Sequence, residues 1–222
     1  SNIVDLKYES YEIIDGKPGL EGLPSVYFEK GDDVKTLKIT LKDGISDILV
    51  HLYYAVFADY DVITRWTVVE NASAAEVNIS KVMSMTVDFD NMRYDVISNY
   101  GSWCRERHLE RGPVKHGLFT TGSRRGASSH THNPFMIICD KTASETAGDC
   151  YGATLVYSGS YKMTVEGTRY NFTRFNAGIN PDGFGWVLEP GKTFTSPEAV
   201  MTYSENGLTG LSHNFNNIIR KR

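Results

Sequence analysis

The sequence predicts a large all-β sandwich closed by one C-terminal helix. Three observations carry that prediction. Apolar and polar residues alternate with period two over most of the 222 residues, the pattern of half-buried antiparallel strands. Turn-forming clusters separate the alternating runs at short intervals, with no helical stretches between them as βαβ units would need. Thirteen Tyr and ten Phe suit pleated surfaces better than helices.

In Thr36–Lys42, Leu37, Ile39 and Leu41 point one way while Thr and Lys point the other, and Asp43-Gly44 follows as a turn signal. Ile48–Phe57 is apolar on both faces apart from His51, which predicts a strand held between two layers. Val62–Val69 and Val77–Phe89 are further β-branched or alternating runs, and Glu70–Ala75 reads as the short hairpin loop between them. Downstream, Phe135–Cys139, Tyr151–Tyr157, Tyr161–Glu166, Phe172–Phe175, Phe184–Leu188 and Ala199–Tyr203 all read as strands. Ser158-Gly159-Ser160, Asn180-Pro181-Asp182-Gly183 and Glu189-Pro190-Gly191-Lys192 punctuate them. In the last stretch Leu208, Leu211, Phe215, Ile218 and Ile219 recur at helical spacing. Arg220-Lys221-Arg222 lies where cations favour a helix C-terminus, and Ser204 or Asn206 is placed to cap the start. The expected division is a sandwich over 1–204 and a helix over 205–222.

Composition narrows the function. With 41% hydrophobic and 23% charged residues, the chain is globular rather than disordered. It contains no apolar run near 18 residues, so no membrane span is expected. Ser1-Asn2-Ile3-Val4-Asp5 shows neither a basic nor a long apolar leader region. A net charge of −4 argues against general nucleic-acid binding. Three cysteines, Cys104, Cys139 and Cys150, leave at least one free thiol within a chain. That count fits a reducing compartment, so a cytoplasmic location is expected. Cys139 and Cys150 flank a polar stretch and are candidates for neighbouring strands.

Residues 103–132 hold six Lys/Arg against two acids, while the other residues carry 17 basic and 25 acidic side chains. Four of the six histidines also fall there. Read as one strand, Trp103–Arg111 places Trp103, Arg105, Arg107, Leu109 and Arg111 on one face and Cys104, Glu106, His108 and Glu110 on the other. A solvated strand with weak cross-strand ion pairs is one reading. Gly122–Pro134 is a polar loop of small residues and donors. Its adjacent Arg124 and Arg125 can fork onto carboxylates, which suits contact with another domain, another subunit or a sugar. His130 and His132 offer two metal nitrogens from one strand face, too few for a site without a third ligand. No cofactor motif is present. Asp59/Asp61 and Asp88/Asp90 each set two acids at i, i+2, roughly 6.5 Å apart along a strand. That spacing is compatible with acid–base chemistry, but both pairs lie beside predicted turns, where Asp is routine. No nucleophile elbow, phosphate loop or zinc-protease motif occurs.

Gly16–Pro24, Gly101–His108, Gly122–Phe135, Tyr151-Gly152, Leu155–Gly159 and Gly178–Pro181 closely resemble bacterial α-galactosidases of glycoside hydrolase family 36. The resemblance covers nearly the whole chain in order; Cys104 departs from it, standing where the family often has alanine. It implies a β-supersandwich, followed in the parent enzyme by a catalytic (β/α)₈ barrel to which the C-terminal helix is the connector. The family's beginning, the first strands of that domain, is expected to lie outside these residues. The implied parent is a retaining enzyme hydrolysing α-1,6-galactosides such as melibiose and raffinose. Its nucleophile and acid/base are barrel aspartates, so this chain alone is expected to be inactive. The resemblance gives Trp103 a place at the sugar pocket, where an indole face packs on a galactose ring. Arg105, Arg107, Arg124, Arg125, His130, His132 and Asn133 are then positioning groups at the barrel or at an intersubunit contact. The implied parent is a homo-oligomer, often a tetramer. Two other readings stay open: an independent carbohydrate-binding sandwich, and a stand-alone supersandwich enzyme acting through an Asp pair or His.

Overall fold

The structure, a computed structural model, describes residues 4–222. The leader reading at Ser1–Ile3 therefore lies outside the described residues. One large antiparallel sheet dominates. Its strands run in the spatial order β1 (Leu6–Asp15), β2 (Val34–Asp43), β3 (Ile48–Phe57), β4 (Val62–Asn71), β16 (Glu198–Ser204), β11 (Cys150–Val156), β10 (His132–Asp140), β7 (Tyr94–Ser102) and β8 (Arg105–Pro113). A short β15 (Thr193–Thr195) joins the far end of β4. A second layer is ordered β12 (Tyr161–Gly167), β13 (Thr173–Ile179), β6 (Met83–Phe89), with β9 (Gly117–Gly122) running beside β12. A third piece pairs β5 (Val77–Ile79) with β14 (Trp186–Leu188). The helix α1 spans Gly207–Lys221.

Alternation along the strands sorts the core into two faces of the large sheet. One face packs Phe57, Val62, Trp66, Ile97, Ile137 and Val200 against the helix residues Leu211, Phe215 and Ile218, and against Leu20 and Val26 of the 16–33 loop. The other packs Met136, Ile138, Ala153, Leu155 and Ala199 against Tyr161, Met163, Val165 and Phe175 of the second layer. Ile48 and Val69 meet Ile79, Leu188 and Phe194 in a smaller cluster.

Several expectations are corrected. The run 77–89 is two strands, because β5 pairs with β14 and β6 pairs with β13. Glu70–Ala75 is accordingly not a hairpin loop. The buried Asn71 amide organises it instead, donating to Ala75 O and Leu188 O (2.8 Å each). β3 is covered on both faces only at its start, where Ile48 is buried against Ile79, Leu188 and Phe194. Toward its end Ala55 and Phe57 are fully buried, while Val56 on the opposite face is 44% exposed, because the second layer stops above β4.

The helix forms on the expected residues, except that Ile219 is 67% exposed. Asn206 occupies the N-cap position without a side-chain cap. The orphan N–H groups of the first turn are met by a neighbouring turn: Leu208 N donates to Ser144 O (3.0 Å) and Thr209 N to Glu145 O (2.9 Å). At the other end the Arg222 guanidinium grips Asp32, with Nε donating to Oδ2 at 2.7 Å. Among the described residues no helix is long and apolar enough to cross a membrane. Cys139 and Cys150 face each other across β10 and β11 as buried free thiols. Burial pushes the Cys139 thiol up to about 11.

Candidate functional site

Segments scattered through the sequence converge at one end of the sheet. Trp103 and Cys104 are the two-residue turn between β7 and β8, with Ser102 opposite Arg105. The strand expected over 103–111 is therefore a turn at Trp103 and Cys104 followed by β8, whose alternation is interrupted by a bulge near its start. Cys104 and Arg107 both take φ +59°, a left-handed conformation costly for ordinary residues. The Cys104 N–H is held by Glu106 Oε1 (2.8 Å). Gly101 lies opposite the bulge, where a Cβ would stand 2.5 Å from Arg105 O, so only glycine lets the two backbones approach. Gly101 N in turn donates to Thr131 O (3.0 Å), tying the hairpin to the next loop. This bracing leaves Trp103 projecting, 82% exposed, from a fixed tip.

The 122–134 loop is laced down through its backbone. Ser123 N donates to Tyr161 O (2.9 Å), Gly126 N to Ser160 Oγ (2.9 Å) and Ser128 N to Ser158 O (2.6 Å). The buried Asn180 amide donates to Ser123 O (3.0 Å), and Tyr161 OH donates to His132 O (2.8 Å). From the other side the 16–33 loop is anchored by a buried ion pair, Lys17 Nζ to Glu198 Oε1 at 3.0 Å. The same ammonium donates to Val26 O, and Val26 N donates to Glu198 Oε2 (2.6 Å each).

Two depressions result. One, of about 480 Å³, is lined by Glu106, Arg107, Ser128, Ser129, His130 and Asn133. The other, of about 690 Å³, is lined by Glu21, Leu23, Arg124, Tyr157, Asp182 and Trp186 among others.

Arg105, Arg107, Arg124, Arg125 and His130 are exposed, and among the described residues none of these side chains has an ion-pair or hydrogen-bond partner. Arg111 shows the contrast. It donates to Asp95, Ala143 O, Asp140 O and Lys141 O, which makes it a structural brace. Asp95 holds its guanidinium above the usual range. His132 Nδ1 and Asn133 Oδ1 are buried without partners, a state native proteins rarely leave unfilled. His130 and His132 do not share a strand face, because a tight turn runs from Ser129 to His132. No group of three metal-ligating side chains occurs among the described residues.

Neither acid pair is arranged for catalysis. Asp59 lies in a 3-10 turn and Asp61 takes φ +53°, so they are not on a strand. Asp88 is clamped by Arg174 through two bonds of 2.7 and 2.8 Å, which hold its carboxyl below the usual range. Sequence reasoning missed Glu198 and Ser123, which position the loops. An acid at the start of the apolar run Ala199–Tyr203 was the available signal for Glu198.

The chain that forms this two-layer antiparallel sandwich and its convergent loop face matches a domain of the glycoside hydrolases. Residues 1–189 match the description Glycosyl hydrolase family 36 N-terminal domain, and the chain belongs to that family. It is 40% identical over 222 residues to alpha-galactosidase AgaA of Geobacillus stearothermophilus, covering 100% of this chain and 30% of that protein. It is 42% identical to the bifunctional alpha-galactosidase/sucrose kinase AgaSK of Mediterraneibacter gnavus, over 97% of this chain and 23% of that protein. The crystal structure of an AgaA variant in complex with stachyose superposes with a TM-score of 0.97, covering 99% of this chain and 31% of that one. The alpha-galactosidase from Lactobacillus brevis also gives 0.97, at 36% identity and covering 99% of this chain and 30% of that one. The chain thus spans under a third of the length of these relatives.

Proposed function

We propose that this chain is the non-catalytic N-terminal part of a retaining α-galactosidase, acting on melibiose- and raffinose-type galactosides in a reducing, cytoplasmic setting. Residues 1–204 form the sandwich and 205–222 the connector toward the catalytic barrel of the same polypeptide. The convergent loop face rests on that barrel or on a neighbouring subunit of a homo-oligomer, and Trp103 reaches the sugar pocket. Arg105, Arg107, Arg124, Arg125, His130, His132 and Asn133 position the contact. The observation that carries this reading is the braced hairpin that holds an 82% exposed indole among guanidiniums without partners. An indole so exposed gains by packing on a sugar face and excluding water.

The test is Trp103→Ala in the full-length polypeptide. The expected result is a fall in kcat/KM on melibiose of roughly tenfold or more, about 1.4 kcal/mol of lost transition-state binding, with assembly intact. Unchanged kcat/KM places the indole away from the pocket.

A second reading, an independent carbohydrate-binding module, is favoured by the depression that gathers Trp186 and Tyr157 with Arg124 and Asp182. Calorimetric binding of raffinose by the 222-residue chain alone, abolished by Trp186→Ala, selects that reading.

A further inference from the structure

Cys139 and Cys150 have no part in the loop face, and they meet in a row that crosses the large sheet. Cys139 of β10 stands opposite Cys150 of β11, with Asp95 of β7 beyond the first and Ser204 of β16 beyond the second. The neighbouring ladder bond, one step toward the 140–149 turn, runs from Asp140 N to Asp149 O (2.9 Å). Hydrogen-bonded and non-hydrogen-bonded pairs alternate along an antiparallel ladder. Cys139 and Cys150 therefore form a non-hydrogen-bonded pair, with Cα atoms about 4.5 Å apart and side chains at their closest. A disulfide needs Cα atoms about 4.4–6.8 Å apart and Cβ atoms aimed to one side. The ladder meets the first condition and the shared face meets the second. Both residues are fully buried and both are free thiols. One buried cysteine is an ordinary small core residue. Two held opposite each other at this spacing are a pair that can be joined.

The surroundings supply a charge, an entry and a consequence. The Arg111 guanidinium donates to Asp140 O (2.9 Å), Lys141 O (3.0 Å) and Ala143 O (2.7 Å), so its charge sits at the mouth of the turn. Burial raises both thiols, and Arg111 draws both back toward the thiolate, the form that attacks an oxidant. Residues 144–147 of the turn are exposed. The two cysteines are the last pair of the ladder before that turn, so a local opening there uncovers them first. The same turn holds the start of α1. Gly207 N donates to Gly148 O (3.1 Å), Leu208 N to Ser144 O (3.0 Å) and Thr209 N to Glu145 O (2.9 Å). A bond between the two sulfurs closes the 139–150 loop at its base and fixes the support on which α1 begins.

We propose that Cys139 and Cys150 are a site of reversible oxidation, joined by a peroxide into a disulfide that staples the turn holding α1. One thiol loses its proton and its sulfur attacks a peroxide oxygen. The O–O bond breaks, a sulfenic acid forms, and the departing oxygen leaves as water with that proton. The second sulfur then attacks the first, the S–S bond forms, and the hydroxyl leaves as a second water with the second thiol proton. The two sulfurs give up two electrons in all, and these reduce hydrogen peroxide to two waters. The oxidant must be small, because both sulfurs lie in the core cluster beside Ala143 and Leu211. In a reducing setting the pair rests as thiols, and a dithiol restores it. Neither Trp103 nor the loop-face arginines enter this site, so it stands or falls apart from the function proposed above.

Peptide mass mapping of the 222-residue chain tests it, in a Cys104→Ser background that removes the exposed thiol. The folded chain is treated with hydrogen peroxide, then unfolded in iodoacetamide and cut with trypsin. Cleavage at Lys141 separates the two cysteines, so the expected product is two peptides that stay joined and carry no label. The untreated chain gives two separate peptides, each labelled once. Closing this short loop is expected to raise Tm by roughly 5–10 °C and to slow hydrogen exchange at Gly207, Leu208 and Thr209. Dithiothreitol reverses both effects while leaving methionine sulfoxide untouched, which separates the disulfide from other oxidation. Cys150→Ala, treated alike, is expected to show neither effect. Because that substitution can loosen the core, the reversal in the chain that keeps both cysteines stands as the independent measurement. Thiols that stay free, or sulfinic and sulfonic acids on separate peptides, overturn the proposal. A disulfide that leaves Tm and the three amides unchanged overturns the staple.

Discussion

Glu198 and Lys17 have 0% and 2% of their side chains exposed, so each depends on the other for its charge to be tolerated. The pair and its two bonds to Val26 hold the 16–33 loop on the sheet, and Trp66, 5.1 Å below the ammonium, closes the site. Removing one partner leaves a buried charge uncompensated, which costs about 3–5 kcal/mol, whereas replacing both with apolar groups is close to neutral. Lys17→Met is therefore expected to lower Tm by roughly 10 °C in a chain of this size. Lys17→Met with Glu198→Leu is expected to recover most of that loss. Calorimetric melts of the two variants check it, and a double variant no better than the single one removes the ion pair from the explanation. Arg65 is the counter-example, a buried cation held by Thr86 O and the Tyr54 ring with no carboxylate beside it; burial drives its pKa down.

The strands best seen in the sequence are those whose alternation runs unbroken, such as β2 and β3. β1 escaped notice because a bulge between Tyr8 and Ser10 shifts the period. Tyr8, Tyr11 and Ile13 then share a face that strict i, i+2 spacing would split. The Trp103–Cys104 turn was hidden for the same kind of reason. Neither residue is a turn former, and the strain is absorbed by Gly101 across the bulge. Cap chemistry was also out of reach, because the helix start is satisfied by Ser144 and Glu145, more than 60 positions upstream. Acidic side chains that fasten these elements carry a testable signature. Asp43 holds the β2–β3 turn through the Ser46 hydroxyl, Asp5 N (2.7 Å) and Ser46 N (2.8 Å), which together lower its pKa to about 2. Asp32 at the end of α1 and Asp88 between β6 and β13 are held down by Arg222 and Arg174. Folded pKa values below the unfolded ones give stability that is present above about pH 4. It is lost as pH falls toward 2. Tm is expected to hold from pH 7 to 5 and to drop between pH 4 and 2, with a shallower drop in Asp43→Asn. A Tm indifferent to pH across that window contradicts the assignment.

At the scale of the whole molecule, charge is segregated. The chain carries −4 overall, yet its convergent loop face gathers Arg105, Arg107, Arg124 and Arg125, none of them ion-paired among the described residues. Segments resembling the family were readable one by one, but their meeting was not, since it depends on bonds such as Asn180 to Ser123 across 57 positions. A guanidinium that serves the fold loses partners when removed, and one that serves a contact outside the chain does not. Replacing all four arginines by alanine is therefore expected to leave the Tm of the 222-residue chain within about 5 °C of the parent, since exposed sites free of contacts change stability by less than about 0.5 kcal/mol each and about 2 kcal/mol together at most. Arg111→Ala, which strips four bonds from Asp95 and the 140–143 turn, is expected to lower it by far more. In the full-length polypeptide the same four replacements are expected to weaken seating of the sandwich on its neighbour. The readout is faster proteolysis between the two parts, sharpened at high salt by screening of whatever attraction remains. A quadruple variant that melts like Arg111→Ala would mean that these arginines serve the sandwich itself, and the loop face would lose its claim to be a contact surface.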